Sequence, residues 1–150
     1  MDPIKQAFDK IKQEKEDEVL AEKEREFIEM LKNDVFGGKT PEETFDMFLT
    51  ALKARDIEKA SKYYVSWEQE KILDILEEEV VKDKSLNKVI LSFTEIREKG
   101  KKVCSELKSF GCSFLYTYTI NEDKTSSKKN EETKFTSFKF NEFANIWKMT

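Results

Sequence analysis

The spacing of the apolar residues changes at Gly100, and this change limits the fold more than any other feature of the sequence. Before Gly100, apolar residues recur every three or four positions, which is typical of amphipathic helices. After it, residues 112–120 alternate between one aromatic face and one polar face, which is typical of half-buried strands. Helices followed by strands predict an α+β fold, in which the helices pack on one face of an antiparallel sheet.

The chain begins with a long charged segment, residues 3–34, which is predicted to be a single helix. Its apolar residues lie towards its two ends, and residues 12–18 are nearly all charged. Either the charged middle is a helix face in water, or the segment is a stalk or a helix-pairing element. We therefore expect a charged helix in residues 1–36 and an α+β domain in residues 37–150.

The next helix has the clearest local signals. Thr40 and Glu43 have the spacing of a capping box, and Pro41 suits the first helical position. The residues that follow have i, i+3, i+4, i+7 spacing and predict a buried helix face: Phe45, Phe48, Leu49 and Leu52. Further helices are predicted at residues 57–64 and 85–99, and between them on the apolar residues Trp67, Ile72, Ile75, Leu76 and Val80.

About four strands are expected after Gly100, at residues 103–108, 112–120, 133–143 and 146–149. In the third strand Phe135 has the opposite parity to Phe138 and Phe140, which predicts a β-bulge or a late strand start. Bulges curve sheets, so we expect the antiparallel sheet to be curved.

Cys104 and Cys112 are eight residues apart, which is neither a redox motif nor a metal-binding spacing. A hairpin turn at residues 109–111 would place residue 104 opposite residues 115 and 116 rather than opposite Cys112. This register predicts two unpaired thiols, with a hairpin disulfide as the alternative.

Composition narrows the classes of function. The chain has no His, which removes the histidine-based catalytic groups and metal sites. Its net charge of −4 argues against nucleic acid as a partner, and it lacks the roughly 18 consecutive apolar residues of a membrane span. The acidic run Glu77–Glu79 lacks the pattern of a calcium loop, so it is predicted to be a solvated helix surface. We expect no metal and no cofactor.

Two segments resemble the nuclear transport factor 2-like superfamily, whose members include ketosteroid isomerases. Residues 40–64, TPEETFDMFLTALKARDIEKASKYY, resemble its opening helices, and residues 146–149, IWKM, resemble its closing strand. The similarity is closest to an uncharacterised branch found in bacterial exported proteins and lipoproteins. It implies a cone-like fold, in which a curved antiparallel sheet wraps around helices, and an extracytoplasmic, membrane-anchored location. The superfamily contains both enzymes and catalytically silent binding modules, so the resemblance does not select a function.

The candidate site residues are aromatic. Tyr116, Tyr118 and Phe114 share one face of the predicted sheet, and with Tyr64 they are predicted to line a pocket, with simple core packing as the alternative. The carboxylates nearest the opening helices, Asp46 and Asp56, both have structural explanations, so no catalytic residue is assigned.

These residues favour a non-enzymatic binding or assembly module for a hydrophobic small molecule or a protein partner. The resemblance also implies that two copies of the chain form a homodimer through the sheet face. The alternative is a small cone-pocket enzyme, of isomerase or dehydratase type, that acts on a hydrophobic molecule through a carboxylate and a Tyr hydroxyl.

Overall fold

A computed structural model describes residues 2–82, 85–107, 110–120 and 130–150, and it confirms the α+β order of helices before strands. The helices are α1 (Pro3–Lys32), α2 (Pro41–Lys53), α3 (Ile57–Ser61), α4 (Gln69–Val81) and α5 (Ser85–Lys99), with a short 3₁₀ turn at Ser66–Glu68. The strands are β1 (Lys101–Cys104), β2 (Cys112–Ile120), β3 (Asn130–Asn141) and β4 (Ile146–Met149). The chain divides into two compact units, Met1–Asp34 and Val35–Thr150.

The first unit is α1. The Asp2 side chain caps it by accepting a hydrogen bond from the Ile4 N–H at 3.0 Å, and Pro3 occupies the first helical position, where no N–H is needed. The apolar side chains Ile4, Phe8 and Ile11 are exposed along its first turns.

In the second unit, α2 supplies the centre of the core. Thr40 caps α2 by accepting from the Glu43 N–H, while the Glu43 carboxylate accepts from the Lys39 N–H at 2.8 Å. The reciprocal bond of the capping box therefore reaches one residue earlier than the ideal pattern. The predicted inward face is confirmed, because all four of its apolar residues are buried: Phe45, Phe48, Leu49 and Leu52.

The four strands form an antiparallel sheet in the order β1-β2-β3-β4. The pairing of β2 with β3 continues without interruption from Ile120 opposite Asn130 to Cys112 opposite Phe138. The prediction of a bulge or late start around Phe135 was therefore wrong. Phe135 lies opposite Leu115 on the outer face, away from the helices, and is 65% exposed. The opposite parity of Phe135 in the sequence means that its side chain lies on the opposite face of the sheet from Phe138 and Phe140.

The edge of the sheet at β4 is covered by two earlier segments of the chain, residues 36–38 and residues 62–65, which we call the first and second covering segments. The N–H groups of Trp147 and Met149 donate to the carbonyl oxygens of Gly38 and Tyr63, both at 2.9 Å, and the Val65 N–H donates to the Met149 carbonyl at 2.8 Å. These bonds satisfy backbone groups that an open edge would leave available for pairing with another chain.

The approach of the first covering segment is close enough to require glycine. A Cβ on Gly37 would lie 2.3 Å from the Trp147 carbonyl oxygen. The buried Thr44 hydroxyl links the same segment to β4, since it accepts from the Gly38 N–H and donates to the Trp147 carbonyl, both at 2.9 Å.

Lys148 connects β4 to both covering segments. Its side chain points to the side of β4 opposite Trp147 and Met149, yet only 3% of the residue is exposed. Its ammonium donates to the Phe36 carbonyl at 2.7 Å and to the Lys62 carbonyl. Hydrogen bonds from a charged donor are stronger than those between neutral groups, so Lys148 fixes both segments against the last strand.

Cys104 and Cys112 form a disulfide, so the prediction of two unpaired thiols was wrong and the alternative is correct. The assumed register caused the error: β1 ends at Cys104, which pairs directly with Cys112. The Ser105 N–H donates to the Gly111 carbonyl at 3.0 Å, so residues 105 and 111 are also bonded to each other, which differs from the turn that we predicted at residues 109–111. Ser109, in that predicted turn, lies outside the described residues.

Reduction of the disulfide is expected to lower the free energy of unfolding by about 2–3 kcal/mol, because the bond closes a short loop in the unfolded chain. Urea denaturation with and without reductant measures this difference while every side chain other than the thiols is unchanged. In the double variant Cys104→Ser/Cys112→Ser, reductant should have no effect. Equal unfolding midpoints for oxidised and reduced protein would contradict the prediction.

Candidate functional site

The four predicted site residues fall into two environments. Phe114 and Tyr64 are 3% and 6% exposed and lie in the core. The ring centroid of Phe114 is 5.7 Å from that of Phe45, and the ring centroid of Tyr64 is 5.6 Å from that of Phe48. Both side chains contact other aromatic rings in the core, as in ordinary core packing.

Tyr116 and Tyr118 lie further along the same face of β2 and are half-buried. Their rings stack with centroids 5.7 Å apart and an interplanar angle of 19°. Lys134 is opposite Tyr116 on β3, and its Nζ atom lies 5.6 Å and 5.4 Å from the two ring centroids. The alternation along β2 and the register with β3 together create this arrangement, which we call the tyrosine–lysine cluster (Tyr116, Tyr118 and Lys134).

Lys134 also ties the cluster to α5. Its ammonium donates to the Ser92 hydroxyl at 3.1 Å and to the Glu95 carboxylate at 3.0 Å. Because the Lys134 and Glu95 side chains are about 26% and 31% exposed, the pair is partly shielded from water and is a contact between helix and sheet. The space beside the tyrosines on the helix side therefore holds the Lys134 side chain.

A Tyr hydroxyl and a carboxylate meet at the end of the cluster. The Tyr118 hydroxyl donates to the Glu132 carboxylate at 2.9 Å, and Glu132 is opposite Tyr118 in the register. This hydrogen bond raises the pKa of Tyr118, because it favours the protonated hydroxyl. The hydroxyl is thus held as a hydrogen-bond donor, in a position open to solvent.

The interior between the helices and the sheet is occupied by aromatic rings in contact. The Phe45 ring lies 5.7 Å from Phe114, 5.5 Å from Phe138 and 6.3 Å from Phe93, measured between centroids. Most of these pairs meet edge to face, an arrangement that aromatic rings favour.

The two carboxylates considered at the sequence level both have structural roles, and the cap predicted at Asp56 is confirmed. Asp56 caps α3 by accepting from the Lys59 N–H at 3.1 Å. Asp46 is exposed, and its carboxylate accepts two hydrogen bonds from the Arg97 guanidinium, at 2.9 Å and 3.2 Å. Both carboxylates therefore bond to groups at the protein surface rather than in the aromatic interior.

Sequence reasoning did not single out the face of α4 as a possible site. Two open surface depressions of about 430 and 570 Å³ follow one another along this helix and share Asp74 and Glu78. Trp67, at the start of this face, is 59% exposed, although its spacing had placed it among the helix-forming apolar residues. The signal in the sequence that could have indicated this face was the occurrence of apolar residues close to the acidic run Glu77–Glu79.

In the described ranges, no three Asp, Glu or Cys side chains converge as a metal site would require. Of the helices in those ranges, none is both long and apolar enough to cross a bilayer.

Comparisons of the chain with protein-family models, with curated proteins and with solved structures found no match.

Tyr64 gives a test of the core at high pH. Burial is the main cause that raises its pKa above the ordinary value near 10, and Glu68 adds to it. In the unfolded chain the hydroxyl ionises near pH 10, whereas in the folded protein it stays protonated. The stability from Tyr64 is therefore complete below pH 10 and is lost as the pH rises above that value.

The measurement compares the free energies of unfolding of the natural chain and of Tyr64→Phe across this pH range. The difference should be constant below about pH 10 and should then move against the natural chain by up to about 1.4 kcal/mol per pH unit. A difference that does not change with pH would show that Tyr64 ionises equally in both states.

Proposed function

We propose that this chain is a non-enzymatic binding or assembly module with a nuclear transport factor 2-like fold. The observation that carries the proposal is the filled interior: Phe45, Phe93, Phe114 and Phe138 occupy the space where an enzyme of that fold would keep a substrate. The order of helices before a four-stranded antiparallel meander supports the fold assignment. We therefore propose that the protein binds its partners through its outer surfaces rather than in an interior pocket.

The outer face of the sheet is the surface we propose for assembly. It exposes three apolar side chains on neighbouring strands: Val103 at 47%, Leu115 at 36% and Phe135 at 65%. Around them the hydroxyls of Ser113 and Ser137, and of Thr117 and Thr133, bond to each other across the strands. Apolar side chains grouped on a face whose hydroxyls are already paired favour contact with another protein surface. We propose a second copy of the chain as this partner.

We also propose that the protein works in an oxidising compartment outside the cytoplasm, as part of a bacterial cell envelope. The Cys104–Cys112 disulfide supports the compartment, because such bonds persist in exported proteins and are rare in the cytosol. The envelope and the membrane anchor follow from the resemblance to exported proteins and lipoproteins.

Phe135→Asp should weaken self-association, because it places a charge at the centre of the proposed contact. Sedimentation velocity over a concentration series is expected to give a dimer for the natural chain and a monomer for Phe135→Asp. The matched control is Leu91→Asp on α5, which changes an apolar residue of similar exposure (59%) and should leave the dimer intact. A natural chain that stays monomeric at every concentration would contradict the sheet-face dimer.

One observation favours the enzymatic alternative: Tyr118 and Glu132 form the hydroxyl–carboxylate pair that cone-pocket isomerases or dehydratases would use. Their exposure and the raised pKa of Tyr118 suit hydrogen-bond donation better than proton abstraction. Calorimetric titration with a planar phenol tests this alternative. We expect no saturable heat; saturable binding that is lost in Glu132→Gln but kept in Glu131→Gln would favour the enzyme.

A further inference from the structure

A second surface, separate from the outer sheet face, lies along α4. The segment Gln69–Val81 contains five acidic residues and one Lys, a net charge of 1 − 5 = −4. The whole chain of 150 residues also has a net charge of −4, so the 13 residues of α4 carry as much net negative charge as the whole chain. A local negative field of this kind attracts cationic partners.

The same face of α4 is also apolar. Trp67, Ile75 and Val81 are 59%, 44% and 86% exposed, and they line the two depressions that share Asp74 and Glu78. Apolar side chains therefore alternate with carboxylates along about 20 Å of one helix face. The residues of α4 that face the core are different ones, chiefly Leu76 and the partly buried Ile72.

Trp67 is already in contact with a cation. The Lys139 ammonium lies 5.4 Å from the centroid of its ring, which is within the range of a cation–π interaction. The remaining charged groups that line the depressions are the acidic Glu70, Asp74, Glu77 and Glu78 and the basic Lys71 and Lys82, so the lining is negative overall.

We propose that this face of α4 binds a cationic amphipathic helix of a partner protein. The apolar side of such a helix would cover Trp67, Ile75 and Val81, and its Lys or Arg side chains would reach Asp74 and Glu78. Helix-in-groove recognition uses apolar anchors at this type of spacing for affinity, and charge pairs at the rim set the orientation and the choice of partner. A helix of about 14 residues matches the length of the face.

The probe is a synthetic 14-residue helix with Leu on one side and Lys on the other, sized by the helical rise of about 1.5 Å per residue. Two control peptides are used: the same composition in an order that is not amphipathic, and the same pattern with Glu in place of Lys. Trp67 is the reporter, since the second Trp, Trp147, is 6% exposed. The signal should disappear in Trp67→Phe.

Binding is expected to be saturable, to shift the Trp67 emission to the blue, and to weaken at least about tenfold in Asp74→Lys/Glu78→Lys, given roughly 1 kcal/mol for each partly shielded charge pair. The matched control Glu98→Lys/Glu142→Lys makes the same change of charge at exposed positions elsewhere and should bind as the natural chain does. Circular dichroism checks that both variants fold.

Three results would overturn the proposal. They are the absence of a saturable change, equal binding of the non-amphipathic peptide, and equal weakening by the two double variants, since the last two indicate non-specific attraction. Self-association that disappears in Asp74→Lys/Glu78→Lys would assign the face to a second copy instead. Phe135→Asp should leave peptide binding unchanged, which separates this proposal from the sheet-face dimer.

Discussion

The rest of the second unit depends on the buried ammonium of Lys148. β4 is the last strand of the chain and lies at the edge of the sheet, where it would otherwise be paired on one side only. Lys148 binds the carbonyl oxygens of Phe36 and Lys62, which belong to segments 112 and 86 residues earlier in the sequence. A buried charge is stable only when it is well bonded, so these segments must stay in place for β4 to keep its position. With β4 fixed, Trp147 and Met149 are held in the core.

This closure explains why we place function on the surface. When β4 and its covering segments are in place, the phenylalanine rings between the helices and the sheet fill the interior, and the paired ammonium of Lys134 occupies the space beside the two tyrosines. Among the surfaces of the second unit that expose apolar side chains are the outer sheet face around Phe135 and the acidic face of α4. They differ in chemistry, because the first is ringed by paired hydroxyls and the second by carboxylates. We therefore expect them to bind different partners.

Local sequence patterns predicted the features that depend on residues close together in the chain. The period change at Gly100 predicted the α+β order, and the spacing in α2 predicted its buried face. Contacts between distant segments could not be predicted in this way. Alternation with Trp147 would assign Lys148 to solvent, and only the covering segments bury it. The register that pairs Cys104 with Cys112 was not predicted, and Phe135 was expected to mark a bulge or a late strand start, whereas it lies on the outer face of the sheet. The candidate site was predicted in part: Tyr116 and Tyr118 share a face, but nothing local indicated that Lys134 would lie over their rings.

The free energy of unfolding of Lys148→Met is the most direct test of this account, with Lys139→Met as the matched control. Lys139 is directly opposite Lys148 on β3 but is exposed. Methionine keeps the length of the side chain and removes the donor, so Lys148→Met should remove two charge-assisted hydrogen bonds and lose about 2–4 kcal/mol. Lys139→Met removes an exposed cation–π contact with Trp67 and should change the stability by less than about 1 kcal/mol. If Lys148→Met were as stable as the control in urea denaturation, the buried ammonium would not be what holds the last strand.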